Sequence, residues 1–212
     1  AFEKLKKSEE LKLFSENQGT LSPKQETVQI QYIQIGATYI LAETQSGMVL
    51  IDQFLAHQRI LFERSRKSLE TLNADVSQQL LFPDLLELSP EESTLMEDNL
   101  DYFLALGFDI TLFGNQCFQI KGIPQDLNQN RAKDVLSDLI QCLIQDKKND
   151  FKERLARYFA RYAATPRGQK LSNEEMSKLV DNLFSTQNPY VAPNEKPTLI
   201  RLTLDEIAQR FS

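Results

Sequence analysis

Residues 28–69 read VQIQYIQIGATYILAETQSGMVLIDQFLAHQRILFERSRKSL, and the fold follows from the way this stretch changes period. Over residues 28–35 apolar and polar side chains alternate, which is the pattern of a strand with one buried face. Gly36 interrupts the alternation. Residues 38–43 and 48–51 are two further apolar segments, and Thr44-Gln45-Ser46-Gly47 between them has the composition of a hairpin turn. Asp52 ends the third strand. Beyond it the apolar spacing lengthens, and residues 55–69 read as a helix. About three antiparallel strands therefore run directly into a helix.

Downstream, residues 80–88 form a short apolar run broken by Pro83, which suits a sheet edge or an extended segment. Ser89-Pro90-Glu91-Glu92 is a capping box with proline at the first helical position; its hydroxyl and carboxylate each satisfy an end amide. Leu95, Met96, Leu100, Phe103 and Leu104 then read as one helical stripe, closed by Gly107. Phe108, Ile110 and Leu112 alternate, Gly114-Asn115 turns the chain, and Phe118 and Ile120 alternate again, so a hairpin is expected. Val135, Leu139 and Leu143 mark a helix. Phe151, Leu155, Tyr158, Phe159 and Tyr162 mark the next, ended by Pro166 and Gly168. Ser172-Asn173-Glu174-Glu175 is a second capping box, opening a helix with Met176, Leu179, Val180 and Leu183 inward. A proline-rich loop (188–197), a strand (198–203) and an amphipathic helix (204–211) follow. Runs of each element type predict an α+β fold.

Composition limits the functional classes. Hydrophobic residues make up 41 % of the 212 and charged residues 25 %, a globular balance. No apolar run approaches the roughly 20 residues that span a bilayer, so no membrane partner is expected. The opening AFEKLKKSEE lacks a signal-peptide core and reads as the edge of a longer protein. Cys117 and Cys142 fit no zinc or redox spacing, and a reducing, cytoplasmic setting is expected. The net charge of −6 argues against the segment being a main grip on anionic duplex DNA. A basic run (Lys147, Lys148, Lys152, Arg154, Arg157, Arg161, Arg167 and Lys170) reads as a solvated helix face.

Three short motifs add a family resemblance. Asp52-Gln53-Phe54-Leu55-Ala56-His57-Gln58-Arg59-Ile60-Leu61-Phe62-Glu63 resembles the MutL signature D-Q-H-A-x-x-E-x-x-x-x-E, in the same strand-to-helix context. Asp52, Gln53 and Glu63 match; Phe54 stands for the family His and Gln58 for its first Glu. Residues 160–172 resemble A-C-R-x-A followed by a capped helix, with Arg161 in the Cys position. Residues 188–198 resemble N-P-F-x-C-P-H-G-R-P-T, with Ala192 for Cys and Asn194 for His. A fourth segment, Gln78-Gln79-Leu80-Leu81-Phe82-Pro83, resembles the family's sliding-clamp-binding sequence. Its logic is an extended peptide with an anchoring glutamine and apolar side chains that fill a groove.

The resemblance implies the C-terminal dimerisation domain of a MutL-type mismatch repair protein. Its expected parts are a linker remnant (1–24), a two-layer sheet-and-helix dimerisation subdomain (25–75 with 150–212), and an inserted regulatory subdomain (76–149). In nuclease-active relatives the first three motifs gather a metal site that nicks DNA. Here Asp52 alone of the ligand positions keeps a donor of the family type, and an amide is a poor substitute for carboxylate or imidazole. No metal, cofactor or catalytic residue is therefore expected. The expected partners are a second copy through Val28, Ile30, Tyr32 and Ile35, and the sliding clamp through Gln78, Leu81 and Pro83. The full-length protein would add the mismatch recognition protein and DNA. Two other readings are a residual nuclease using Asp52 and Glu63, and a dimeric binding module unrelated to repair. His57 reads as a helix-surface residue. Loss of a metal would leave carboxylates in want of a positive charge, so Arg161 is expected to pair with Asp52 or Glu63.

Overall fold

The computed structural model describes residues 31–73, 76–146 and 150–212. Residues 31–212 cluster as one unit. The expected linker, and Val28 and Ile30, lie outside the described residues.

The first strands are β1 (Tyr32–Ile35), β2 (Tyr39–Thr44) and β3 (Gly47–Asp52), which feed α1 (Gln53–Thr71). The chain continues through β4 (Ser77–Glu87), α2 (Pro90–Asp98), α3 (Leu100–Ala105), β5 (Asp109–Gly114) and β6 (Cys117–Pro124). It ends with α4 (Gln129–Gln145), α5 (Phe151–Ala163), α6 (Asn173–Phe184), β7 (Leu199–Thr203) and α7 (Leu204–Ala208). The strands make two antiparallel sheets, ordered β1-β2-β3-β7 and β4-β6-β5. The fold is α+β, as the runs of each type predict.

Both capping boxes form: Ser89 with Glu92, and Ser172 with Glu175. A third, unanticipated box joins Thr203 to Glu206 at the start of α7. Each cap of this kind stabilises its helix by about 1 kcal/mol. The expected single helix over residues 95–104 is two. It breaks at Asn99, whose backbone N–H and side-chain amide donate to the carbonyls of Met96 and Leu95. Leu104 accordingly points outward.

Two apolar cores result. Ile40, Val49 and Ile51 on the inner face of the first sheet pack with Ala56 of α1 and with Met176, Leu179, Val180 and Leu183 of α6. The larger core gathers Phe118 and Ile120 of β6, Met96, Phe103, and Leu136, Leu139 and Ile140 of α4. Leu61, Phe62 and Leu69 of α1 and Leu155 and Phe159 of α5 belong to that second core. Thus α1 is a wall of both cores.

Strand parity separates two of the residues expected to meet a second copy. Tyr32 packs against the helical side with the first core, whereas Ile33 and Ile35 point outward. Side chains three residues apart on a strand lie on opposite faces, so Tyr32 and Ile35 do not share a surface. The register places Ile33, Leu41, Leu50 and Ile200 on one outward rung across all four strands. Glu43, Met48 and Leu202 form a second rung on the same side.

Candidate functional site

The strand-to-helix junction is built around Asp52. One carboxylate oxygen caps α1 by accepting from the Leu55 N–H at 3.0 Å. The other accepts from Arg167 at 2.7 Å. The Arg167 guanidinium also lies 5.6 Å from the centre of the Phe54 ring, a cation–π contact. A cation therefore does face the Asp52 carboxylate, but it comes from the loop after α5. The expected Arg161 pairing is not what forms: Arg161 is exposed, with its guanidinium 5.6 Å from the Tyr162 ring. At 3.6 residues per turn, position 161 lies opposite the buried positions Leu155, Phe159 and Ala163.

Gln53 is buried and ties the same loop down. It accepts from Gln34 at 2.7 Å and donates to the Gln169 carbonyl at 3.1 Å. Gln34 also donates to that carbonyl and accepts from the Leu171 N–H. Gly168 donates to the Ala37 carbonyl in the β1–β2 turn. Residues 165–171 thus form a strap over the junction.

The third motif is held by α1. Glu63 accepts from the backbone N–H groups of Gln187 and Asn188, and pairs with Arg59 at 3.6 Å. Arg59 in turn donates to the Val191 carbonyl at 2.6 Å. Ala192 is buried, while Asn194 is exposed and accepts from the Lys196 N–H. Gln58 is buried, and its side-chain oxygen has no hydrogen-bond partner.

His57 is packed into the α1 interface rather than standing on its surface. Its Nδ1 accepts from the Thr165 N–H at 3.0 Å, which puts the proton of the neutral ring on Nε2. Burial pushes the imidazole down to about 4; the Asp126 carboxylate opposes that shift and Arg64 adds to it.

A transition metal does not fit this donor set. Asp52 is engaged by an arginine and an amide, and Phe54 and Ala192 offer no donor atom. Among the described residues, no three His, Cys, Asp or Glu side chains gather as a metal-binding group. Lys147 and Lys148 of the basic run lie outside the described residues, and its described arginines are dispersed. Arg154 is buried and donates to the Leu143 carbonyl, Arg157 pairs with Glu153, and Arg167 is bound to Asp52.

The fourth motif lies on β4, an edge strand, as Pro83 implied. Its pairing with β6 shifts between Gln79 and Asp84, so residues 80–83 bulge from the ladder. Leu81 is 85 % and Phe82 76 % exposed, and Gln78 and Pro83 are exposed too. Gln79 instead turns toward Asp109 at 3.4 Å. Phe82 was not singled out from sequence, although an aromatic next to a proline in a strand broken by that proline is the signal that could have found it.

The sequence profile of the MutL C terminal dimerisation domain matches residues 32–171. The chain belongs to this family. It is 37 % identical over 194 residues to the DNA mismatch repair protein MutL of Pelodictyon phaeoclathratiforme, covering 89 % of this chain and 30 % of that protein. It is 39 % identical over 183 residues to MutL of Chlorobium phaeobacteroides, covering 84 % of this chain and 29 % of that protein. The figures for MutL of Chlorobaculum tepidum are 37 % over 183 residues, with 84 % and 29 % covered. The chain thus spans about 30 % of the length of these MutL relatives. The matched region takes in β1, β2 and β3, so three of the four strands of the first sheet fall within the MutL dimerisation profile. Among the described residues, no helix of this MutL-family chain is long and apolar enough to cross a membrane.

Proposed function

We propose that this domain holds two copies of a mismatch repair protein together through the outer face of the β1-β2-β3-β7 sheet, and does not itself cut DNA. The observation that carries the reading is the apolar outer face. Ile33 is 55 % and Ile200 49 % exposed at the ends of a rung completed by Leu41 and Leu50. A contiguous apolar surface of this kind is costly in water and marks an association site. A specific, stable interface usually buries roughly 1,200–2,000 Å² in total. Leu50→Lys puts a charge at the centre of the rung. It is expected to raise the dimer dissociation constant at least about a hundredfold, near 3 kcal/mol. Sedimentation of a folded Leu50→Lys protein as an undiminished dimer would overturn the reading.

The absence of nuclease function in this reading rests on the Asp52–Arg167 pair and on Phe54 and Ala192. Mn²⁺ should neither bind at Asp52 nor produce nicking of supercoiled plasmid by the domain. Docking of the replication sliding clamp is the second part of the proposal. It is supported by the bulged, outward segment Gln78 to Pro83, with Leu81 and Phe82 free to enter an apolar groove. In the full-length protein, this arrangement would place clamp docking alongside mismatch recognition and DNA contacts made elsewhere in the chain.

A further inference from the structure

The C-terminal helix is capped but little packed by the described residues of its own chain. α7 has five residues, and none of them is buried. Isolated helices shorter than about 12–15 residues are marginal even with good sequences. Yet its start is firmly fixed. Thr203 is at once the last residue of β7 and the cap of α7, and the Leu204 N–H donates to the Ser46 carbonyl in the β2–β3 turn. Gly47 lets that corner close: a Cβ there would lie 2.1 Å from the Leu202 carbonyl oxygen. The helix is therefore launched from the sheet corner in a set direction.

What it presents is apolar. Phe211 is 89 % exposed and Leu204 61 %. Ile207 and Phe211 line a cavity of about 720 Å³ together with Leu202 and the polar side chains Glu206, Gln209 and Arg210. Leu202 sits opposite Met48 in the register, on the outer side of the sheet. The cavity thus reaches the outer side of the sheet at Leu202, beside the face proposed above for the second copy.

We infer that α7 and Phe211 clasp that second copy. The apolar side of α7 lies against the partner's outer face, and an apolar side chain of the partner fills the Leu202–Ile207–Phe211 cavity. Two-fold symmetry makes the contact twice per dimer. This inference rests on the sheet-face reading, and the occupant is a second copy because the cavity opens onto that face.

The test uses the 212-residue chain. Phe211→Ala combined with Leu204→Ala changes only exposed side chains and should leave circular dichroism unchanged. It is expected to raise the dimer dissociation constant tenfold or more in sedimentation. Benzoylphenylalanine at position 211 is expected to crosslink to the other copy, seen as a double-mass band. An unchanged dissociation constant in the double variant, or crosslinking of position 211 to residues 1–30 of its own chain, would overturn the clasp. If Leu50→Lys also leaves the dimer intact, the sheet-face reading fails with it. If Leu50→Lys dissociates the dimer and the double variant does not, the clasp alone fails.

Discussion

At the residue scale, Arg167 and Arg161 separate two ways of placing a charge. Arg167 joins Asp52 and Phe54 at once, so Arg167→Ala loses an ion pair, a cation–π contact and one anchor of the strap. The pair is half-exposed, and a loss of about 1 kcal/mol is expected. Arg161→Ala should change the urea midpoint little. Equal effects of the two substitutions would contradict this assignment. His57 gives a pH test with a definite sign. Its folded value, about 4, lies below its ordinary 6.5, so the unfolded chain binds the extra proton between those values. Stability is fully present above pH 6.5 and falls as pH drops toward 4, by an amount on the order of 1–3 kcal/mol. Denaturation at pH 7.5 and pH 5 should show that loss, and His57→Gln should flatten it. Asp52 as the strand-to-helix corner was legible in the sequence, since a helix cap is a local feature. The partner of Asp52 was not, because Pro166 and Gly168 fold the loop back over the junction and no linear spacing encodes that return.

At the element scale, β4 shows what an edge strand can offer. Pro83 cannot donate to a ladder, and the mismatch it introduces pushes residues 80–83 out between two paired ends. The proposed docking segment is thus held extended, which would lower the ordering cost of binding a partner. Leu81→Ala with Phe82→Ala should abolish clamp pull-down and leave dimer sedimentation unchanged, since neither side chain enters a core. Retained clamp binding would make the bulge merely structural. The edge position was legible from Pro83, whereas the outward turn of Leu81 and Phe82 was not: an apolar run reads equally as core or as bait. The parity of β1 was legible in principle. Period-two counting places Tyr32 and Ile35 on opposite faces, and Ile33 and Ile35 share the exposed one.

At the scale of the whole molecule, α1 decides how the domain unfolds. Ala56 serves the core under the β1-β2-β3-β7 sheet, while Leu61, Phe62 and Leu69 serve the core under the β4-β6-β5 sheet. Sequence pattern marked α1 as a helix but could not show that successive turns face different cores, because both apolar sets fall on one helix. Melting either core strips one end of α1 of its packing, and a partly packed helix is poorly stable. Residues 31–212 should therefore unfold in one cooperative transition. Phe118 is fully buried in the second core, in the β4-β6-β5 sheet. Phe118→Ala should cost about 3–5 kcal/mol, a large share of a domain's typical 5–15 kcal/mol. Because association draws on the folded state alone, the melting temperature should rise with protein concentration in both proteins. The variant should show the same concentration dependence from a lower baseline, with both sheets melting together. Two resolved transitions in calorimetry, with only one shifted by Phe118→Ala, would mean that α1 does not couple the cores.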